Sequence, residues 1–296
     1  MSVLGIGDCT LDHFGIVERF LDPGMKVEMS KFSVQGGGAA ATAIVVLARW
    51  GVETSFVGKV GDDLRGQQIE MTLAEEGVDT DDLIREPDAV SQFSFITLEN
   101  ATGQRHMLFT RGTVSDIGAS EVGTDQLDGV ELLLVDGLQP DSQVKLMKAA
   151  SQRDIPIILD ASDMDPSRKD LVELSDYLLA SERFASRFTG VGELDSICNS
   201  LLENGPHTVA VTLGDEGVVG TERNGNGSVR APSYSVDIVD TTGAGDVFAG
   251  AFAYGVIEDW TLEKTTLFAN YAAGLSCTGI GGRGAIPSFD DVQKRL

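Results

Sequence analysis

The sequence is poor in several features, and each shortage closes off a class of protein. It holds three cysteines in 296 residues, Cys9, Cys198 and Cys277. An odd number of widely spaced cysteines fits neither a disulfide framework nor a zinc cluster, and suits free thiols in a reducing cytoplasm. No apolar run approaches the roughly 18 residues that a membrane-spanning helix needs. Residues 1–6 have no basic region ahead of them, so they read as a first strand and not as a secretory leader. His13, His106 and His207 show no metal-ligand spacing. A Gly-x4-Gly-Lys-Ser/Thr phosphate loop is missing. So is a dinucleotide fingerprint, because Thr10 stands where the third glycine after Gly5 and Gly7 belongs.

Basic charge is the largest deficit. Lys and Arg total 22 against 46 Asp and Glu, giving a net charge of −24 and a pI of about 4.3. Such a surface repels nucleic acid and anionic membranes, and neither is expected as a partner. A phosphate ligand is not barred, since backbone N–H groups bind one locally. The acidity reads either as adaptation to high salt or as an ordinary acidic cytoplasmic surface.

What is present points to a packed α/β body, since 42% hydrophobic residues support a sizeable core. Residues 2–9 read as a buried strand. Residues 14–17 and 26–34 read as short exposed strands around the turn Leu21-Asp22-Pro23-Gly24. Residues 38–50, apolar and rich in alanine, read as a buried helix that Gly51 ends. Residues 93–98 and 105–110 flank Glu99-Asn100-Ala101-Thr102-Gly103-Gln104, a hairpin signal. From Leu132 onward, apolar strands at 132–135, 157–160, 177–180 and 209–212 alternate with helical stretches. That rhythm predicts a mostly parallel sheet with helices on both faces. Two apolar helices, 244–257 and 262–277, precede a glycine-rich loop and a short terminal helix. The expectation is one α/β domain over residues 1–296. Lid segments at about 12–35 and 90–112 would form a small sheet at one edge.

The densest chemistry lies in Asp240-Thr241-Thr242-Gly243-Ala244-Gly245-Asp246. A strand ending at Val239 is expected to lead into this turn, which opens the helix at 244–257. N–H groups at such a helix start are unpaired and sit at the positive end of the helix dipole, so they form an anion site. Small side chains let a phosphate reach the backbone. Asp246, in the first turn, is either a helix-stabilising charge or a general base beside a bound phosphate.

This heptapeptide resembles the C-terminal signature of the ribokinase-like (pfkB-type) carbohydrate kinases. Three further segments match that family in order. They are Gly5-Ile6-Gly7-Asp8-Cys9-Thr10-Leu11-Asp12, Gly36-Gly37-Gly38-Ala39-Ala40-Ala41-Thr42-Ala43 and Gly58-Lys59-Val60-Gly61-Asp62-Asp63-Leu64-Arg65-Gly66. The resemblance covers nearly the whole chain. It implies a ribokinase-like fold with a small β-sheet lid, and ATP-dependent phosphorylation of a sugar hydroxyl with Mg2+ on the ATP phosphates. The implied acceptor is a monosaccharide or derivative such as fructose, ribose, 2-keto-3-deoxygluconate or sulfofructose. Asp12 is implied to hold sugar hydroxyls, and Gly37 and Gly38 to let the backbone approach. Thr42 stands where the family usually has asparagine. The N–H groups of Gly243, Ala244 and Gly245 would stabilise the transferring phosphoryl while Asp246 takes the proton. On the nucleotide side the resemblance points to Thr212, Gly214, Gly217, Thr242, Asn270 and Gly281. Asn270 reads equally as a helix-surface amide and Gly281 as part of a helix stop. Asp240, with the Thr242 carbonyl, is a candidate ligand for a monovalent cation such as K+, or simply a turn residue.

The chain also departs from the family pattern. The family's Asn-x-x-Glu, which supports Mg2+ and phosphate through water, falls on Ser181-Glu182-Arg183-Phe184. The glycine segment, with Cys277-Thr278 and Gly281-Gly282-Arg283-Gly284-Ala285-Ile286-Pro287, is similar to a branch that includes sulfofructose kinases and lies near fructokinases. Arg111 sits where 2-keto-3-deoxygluconate kinases place an arginine against a carboxylate, or is a solvated strand end. A nucleoside kinase on the same fold and a non-catalytic sugar sensor are the alternatives. Apolar lid residues Phe93, Phe95 and Ile96 suggest a homodimer through the lid. If the acidity is a salt adaptation, the melting temperature rises by several degrees on going to molar KCl, because screening relieves self-repulsion. A melting temperature that does not rise with KCl removes that reading.

Overall fold

The computed structural model describes all residues except 101–103 and 226. In chain order, β1 (Ser2–Ile6), β2 (Thr10–Val17), β3 (Lys31–Gly37), α1 (Ala39–Arg49), β4 (Glu53–Val57), β5 (Lys59–Gly61), α2 (Leu64–Ala74) and β6 (Ile84–Glu86) come first. Next are β7 (Phe93–Glu99), β8 (Arg105–Thr110), β9 (Leu132–Val135), α3 (Pro140–Ser151), β10 (Ile157–Asp160), α4 (Lys169–Leu174) and β11 (Tyr177–Ser181). The last part holds α5 (Glu182–Thr189), α6 (Leu194–Glu203), β12 (Thr208–Thr212), β13 (Val218–Glu222), β14 (Val229–Ala231), α7 (Ala244–Ile257), α8 (Leu262–Ser276) and α9 (Phe289–Gln293).

The main sheet runs β14-β13-β12-β11-β10-β9-β1-β4. From β4 to β12 every pairing is parallel, and β13 and β14 close the far side antiparallel. Its central strands are apolar on both faces, as a parallel sheet covered by helices requires. Alternation sends Val3, Leu132, Leu134 and Ile158 to one side, where α1, α7 and α8 pack. Leu4, Ile6, Leu133, Val135, Ile157 and Leu159 go to the other, under α3, α5 and α6. This bears out the predicted fold class. Parallel strands bring all their carboxyl ends to one edge of the sheet, where ligands bind in such folds.

A second sheet, ordered β3-β2-β7-β8, covers part of that edge. It is built from the two expected lid segments. The tip of the predicted hairpin, 101–103, lies outside the described residues. One face of this sheet carries Phe14, Ile96 and Leu98 against Ile16 and Ile280. The other face leaves Phe32, Val34 and Leu108 exposed. Ile96, expected on an outward apolar face with Phe93 and Phe95, is fully buried. Neighbouring residues of one strand lie on opposite faces, so the three never shared one.

Two strand boundaries also differ. β3 starts later than expected and runs through Gly36 and Gly37, which pair with Leu11 and Thr10. Main-chain pairing needs no side chain, so apolar patterning does not reveal it. The expected strand ending at Val239 does not form. The N–H groups of Val239 and Asp240 both donate to the Cys277 carbonyl, at 2.8 and 3.2 Å, so the segment is tied to the end of α8 and not to a sheet.

Helix α7 is the structural link between core and site. Its apolar sequence buries Val247, Phe248, Ala251 and Phe252 beneath the sheet. Gly250 lets it lie against α1, for a Cβ there would sit 2.5 Å from the Ala43 carbonyl oxygen. The first turns of α1 and α7, which carry the two glycine-rich motifs, are therefore fixed to one another. Phe252, 1% exposed, anchors this packing. Phe252→Ala is expected to cost about 3–5 kcal/mol, measured by urea unfolding. A loss below about 1 kcal/mol would show that the helix is held by something else.

Candidate active site

The motif at 240–246 forms a tight turn into α7. Asp240, 3% exposed, organises it. Its Oδ1 accepts the Thr242 N–H at 3.0 Å and the Thr242 hydroxyl at 2.7 Å, and its Oδ2 accepts the Gly281 N–H at 2.9 Å. These hydrogen bonds make Asp240 a clamp of the turn. Among the described residues no cluster of three or more His, Cys, Asp or Glu could hold a metal ion.

Gly243 is the N-cap of α7 with φ +76°, a left-handed conformation that glycine adopts without a Cβ penalty. A Cβ there would also collide with Gly282, which lies directly against it. Among the described residues, the N–H groups of Gly243 and Gly245 have no acceptor. The Ala244 N–H differs from expectation, since it turns back to the Thr241 carbonyl at 3.3 Å. The anion cradle therefore has two open donors and one weakly engaged. Above Gly245 the space is open: a Cβ there would find its nearest neighbour, Ser162 Oγ, at 3.8 Å.

Asp246 lies in the first turn beside these donors, partly accessible and free of hydrogen bonds among the described residues. Burial pushes its pKa up to about 8, with further repulsion from Asp160, Asp163 and Asp12 and relief from Arg283. A carboxylate raised toward neutrality is suited to exchange a proton at physiological pH.

Asp12 faces Asp246 from β2. Its carboxylate accepts a hydrogen bond from the Ser94 hydroxyl, and burial raises its pKa. Gly37 packs directly against it, so any side chain at 37 would strike the Asp12 carboxylate. Gly38, with φ +98°, starts α1 and lies against the Asp8 carbonyl. The structure thus brings Asp12, Gly37, Gly38 and Asp246 to one cleft.

The structure places the other predicted residues as follows. Thr42 is buried, and its hydroxyl faces the Arg283 Nε at 3.4 Å. Arg111 follows β8 on the surface, with its charge felt at Asp8. Asn270 is buried, not a surface amide, and donates to the Pro232 carbonyl at 2.7 Å. Gly281, with φ +77°, belongs to the turn network. Thr212, Gly214 and Gly217 lie at the carboxyl end of β12, two strands along the sheet from β10. At the departed Asn-x-x-Glu position, Ser181 caps α5, Glu182 is exposed and Phe184 is in the core.

Four residues at the site escape the sequence reading. Asp160 ends β10, and burial pushes its pKa up to about 6. Its Oδ1 accepts from Ser162, while its buried Oδ2 has no partner among the described residues. Asp136 follows β9 in the same way, with a pKa pushed up to about 7 by burial and the nearby Asp8. A charge closing an apolar parallel strand is the available signal for both. Arg105 reaches from β8 to the Thr242 hydroxyl at 2.6 Å. Arg283 is buried beneath Gly36 and Gly37. No local pattern announces Arg105, and Arg283 stands in a segment read for its family resemblance alone.

A helix start with open donors, a carboxylate beside it and an acidic cleft at the sheet edge are parts that a phosphoryl-transfer enzyme needs. The chain belongs to the pfkB family of carbohydrate kinases, whose family profile matches residues 2–288. It is 31% identical to the ribokinase of Bacillus subtilis strain 168, covering 100% of this chain and 99% of that one. It is 29% identical to fructokinase-1 of Oryza sativa subsp. japonica, covering 91% and 90%. The structure of Arabidopsis thaliana ribokinase complexed with ribose and ATP superposes with a TM-score of 0.83 at 23% identity, over 99% and 97% of the two chains. The chain is thus a sugar kinase of the ribokinase family.

The raised pKa of Asp246 carries a stability consequence. The folded protein holds a proton there that the unfolded chain releases above its ordinary value of 3.8, so stability falls as pH rises from about 4 to about 8. Asp246→Asn should therefore melt several degrees higher than the parent at pH about 8, with the gap closing near pH about 4. Equal melting temperatures at both pH values would mean that the carboxylate is not under this strain.

Proposed function

We propose that this sugar kinase transfers the γ-phosphate of ATP to a hydroxyl of a neutral or acidic monosaccharide, with Asp246 as general base. The observation that carries this reading is the Asp246 carboxylate standing beside the open Gly243 and Gly245 N–H groups. A phosphoryl group seated on those donors lies next to the base, and a sugar held by Asp12 brings its hydroxyl between them. The donors then offset the charge that develops on the phosphoryl oxygens. Thr212, Gly214, Gly217 and the 281–282 turn supply the nucleotide side of the cleft. Arg105 brings positive charge from the lid to the rim of the cradle. Asp240 remains a turn clamp, and Thr42 acts through Arg283.

Kinases of this family use ATP, and structures of them hold Mg2+. The residues here fit such an ion. Asp160 offers a buried carboxylate oxygen that has no partner among the described residues, and its charge and that of Asp163 are felt at Asp246. Together they would steady a hydrated Mg2+ through its water shell, in place of the missing Asn-x-x-Glu pair. Bound Mg2+ supplies charge neutralisation on the nucleotide phosphates. The exposed outer lid face of Phe32, Val34 and Leu108 is suited to pair with a second copy of the chain. Three buried free cysteines fit a cytoplasmic setting.

The test is ADP release over ribose, fructose, 2-keto-3-deoxygluconate, sulfofructose and adenosine, at low and high KCl. Turnover with at least one sugar is expected. Asp246→Asn should lower kcat about a hundredfold or more with sugar binding retained. Asp12→Ala should weaken sugar binding by about 1–3 kcal/mol. Turnover of adenosine alone, or an active Asp246→Asn enzyme, would overturn the assignment.

A further inference from the structure

Arg283 is 4% exposed, and among the described residues it has no carboxylate within ion-pair distance. Its guanidinium makes three long contacts to neutral acceptors. Nη2 donates to the Gly37 carbonyl at 3.2 Å, Nε to the Thr42 hydroxyl at 3.4 Å and Nη1 to the Thr72 hydroxyl at 3.4 Å. Burial lowers its pKa to about 10, opposed by Asp12 and Glu76, so it stays charged near neutrality. A buried cation held only by long neutral contacts is costly, and an apolar side chain would fill the space more cheaply. Its contribution is not to be sought in stability.

The loop that carries it touches both halves of the cleft. Toward the nucleotide side, Gly282 lies against Gly243 and the Gly281 N–H holds Asp240, the clamp of the anion turn. Toward the sugar side, the Gln35 side chain on β3 donates to the Ile280 carbonyl at 2.7 Å and accepts the Arg283 N–H at 3.3 Å. The Arg283 carbonyl takes Arg49 Nη1 at 2.9 Å, and Arg49 grips Glu76 with two bonds of 2.7 and 2.6 Å. The loop is therefore fastened to β3, to α1 and α2, and to the start of α7. The guanidinium is its direct hold on the strand end that carries Gly37.

We infer that Arg283 is a positioning residue that couples the two half-sites: its side chain fixes the sugar-side strand at Gly37 while its loop supports the phosphate cradle at Gly243, so that filling one half-site tightens the other. This rests on the sugar-kinase reading above. Such coupling is reciprocal, with the same factor for sugar on nucleotide as for nucleotide on sugar.

Calorimetric titration tests it on the intact protein. The probes are the panel sugar with the highest kcat/KM and ADP with Mg2+, each titrated alone and with the other saturating. In the parent enzyme, ADP should tighten the sugar about fivefold or more. In Arg283→Met the factor should fall to about one, with sugar KM rising about fivefold and kcat changing much less. Arg283→Lys keeps the charge but loses the planar fork, and should retain only part of the coupling. It serves also if the methionine variant fails to fold. Full coupling in Arg283→Met or Arg283→Lys, or none in the parent, would overturn the proposal. Failure of either probe to bind the parent would instead refute the sugar-kinase reading, and this inference with it.

Discussion

The site depends on a short stretch of backbone that leaves its donors unpaired. Gly243 takes a left-handed conformation, α7 begins immediately after it, and among the described residues the N–H groups of Gly243 and Gly245 are left without an acceptor. Every other feature of the site arranges something around that cradle. Asp240 holds the turn from below, Gly282 closes it from the side, and Asp246 stands at its rim. Because α7 packs on α1 through Gly250, the same helix that presents the cradle also fixes α1, which begins after Gly38. A shift in the core would therefore be felt as a shift between the reacting groups.

Electrostatics give the site its second constraint. Asp8, Asp136, Asp160 and Asp246 crowd the carboxyl edge of the sheet, and burial raises the pKa of each. An acidic chain of net charge −24 does not relieve this. The cleft is thus poised to gain from positive charge, whether Mg2+ accompanying a nucleotide, Arg105 from the lid or Arg283 from beneath. Positive charge brought to the cleft lessens the repulsion that these carboxylates suffer.

What the sequence discloses is whatever is local. The 240–246 turn, the glycine segment and Asp12 are encoded within a few residues, and the rhythm of apolar strands and helices marks the parallel sheet. Residues that reach the cleft through tertiary contact stay hidden. Arg283 meets Gly37 across a separation of 246 residues, and Arg105 meets Thr242 across 137. Asp160 carries a readable signal, a charge closing an apolar strand, but it lies outside the matched motifs. The strand expected before Asp240 has a physical origin too. Exposed Ile238 and Val239 imitate an extended apolar strand, yet the Val239 N–H bonds to the Cys277 carbonyl at the end of α8 and not to a strand. Ile96 falls on the inner face because strand alternation acts residue by residue, which a grouping by apolar character overlooks.

The central claim is geometric: an open cradle seats the phosphoryl group while the carboxylate beside it meets the acceptor hydroxyl. A structure with ADP, Mg2+, aluminium fluoride and the preferred sugar reads it directly. The account predicts the fluoride mimic on the Gly243 and Gly245 N–H groups, with an Asp246 oxygen about 2.6–3.2 Å from the acceptor hydroxyl. A mimic bound away from these donors, or an Asp246 side chain turned from the sugar, would contradict it.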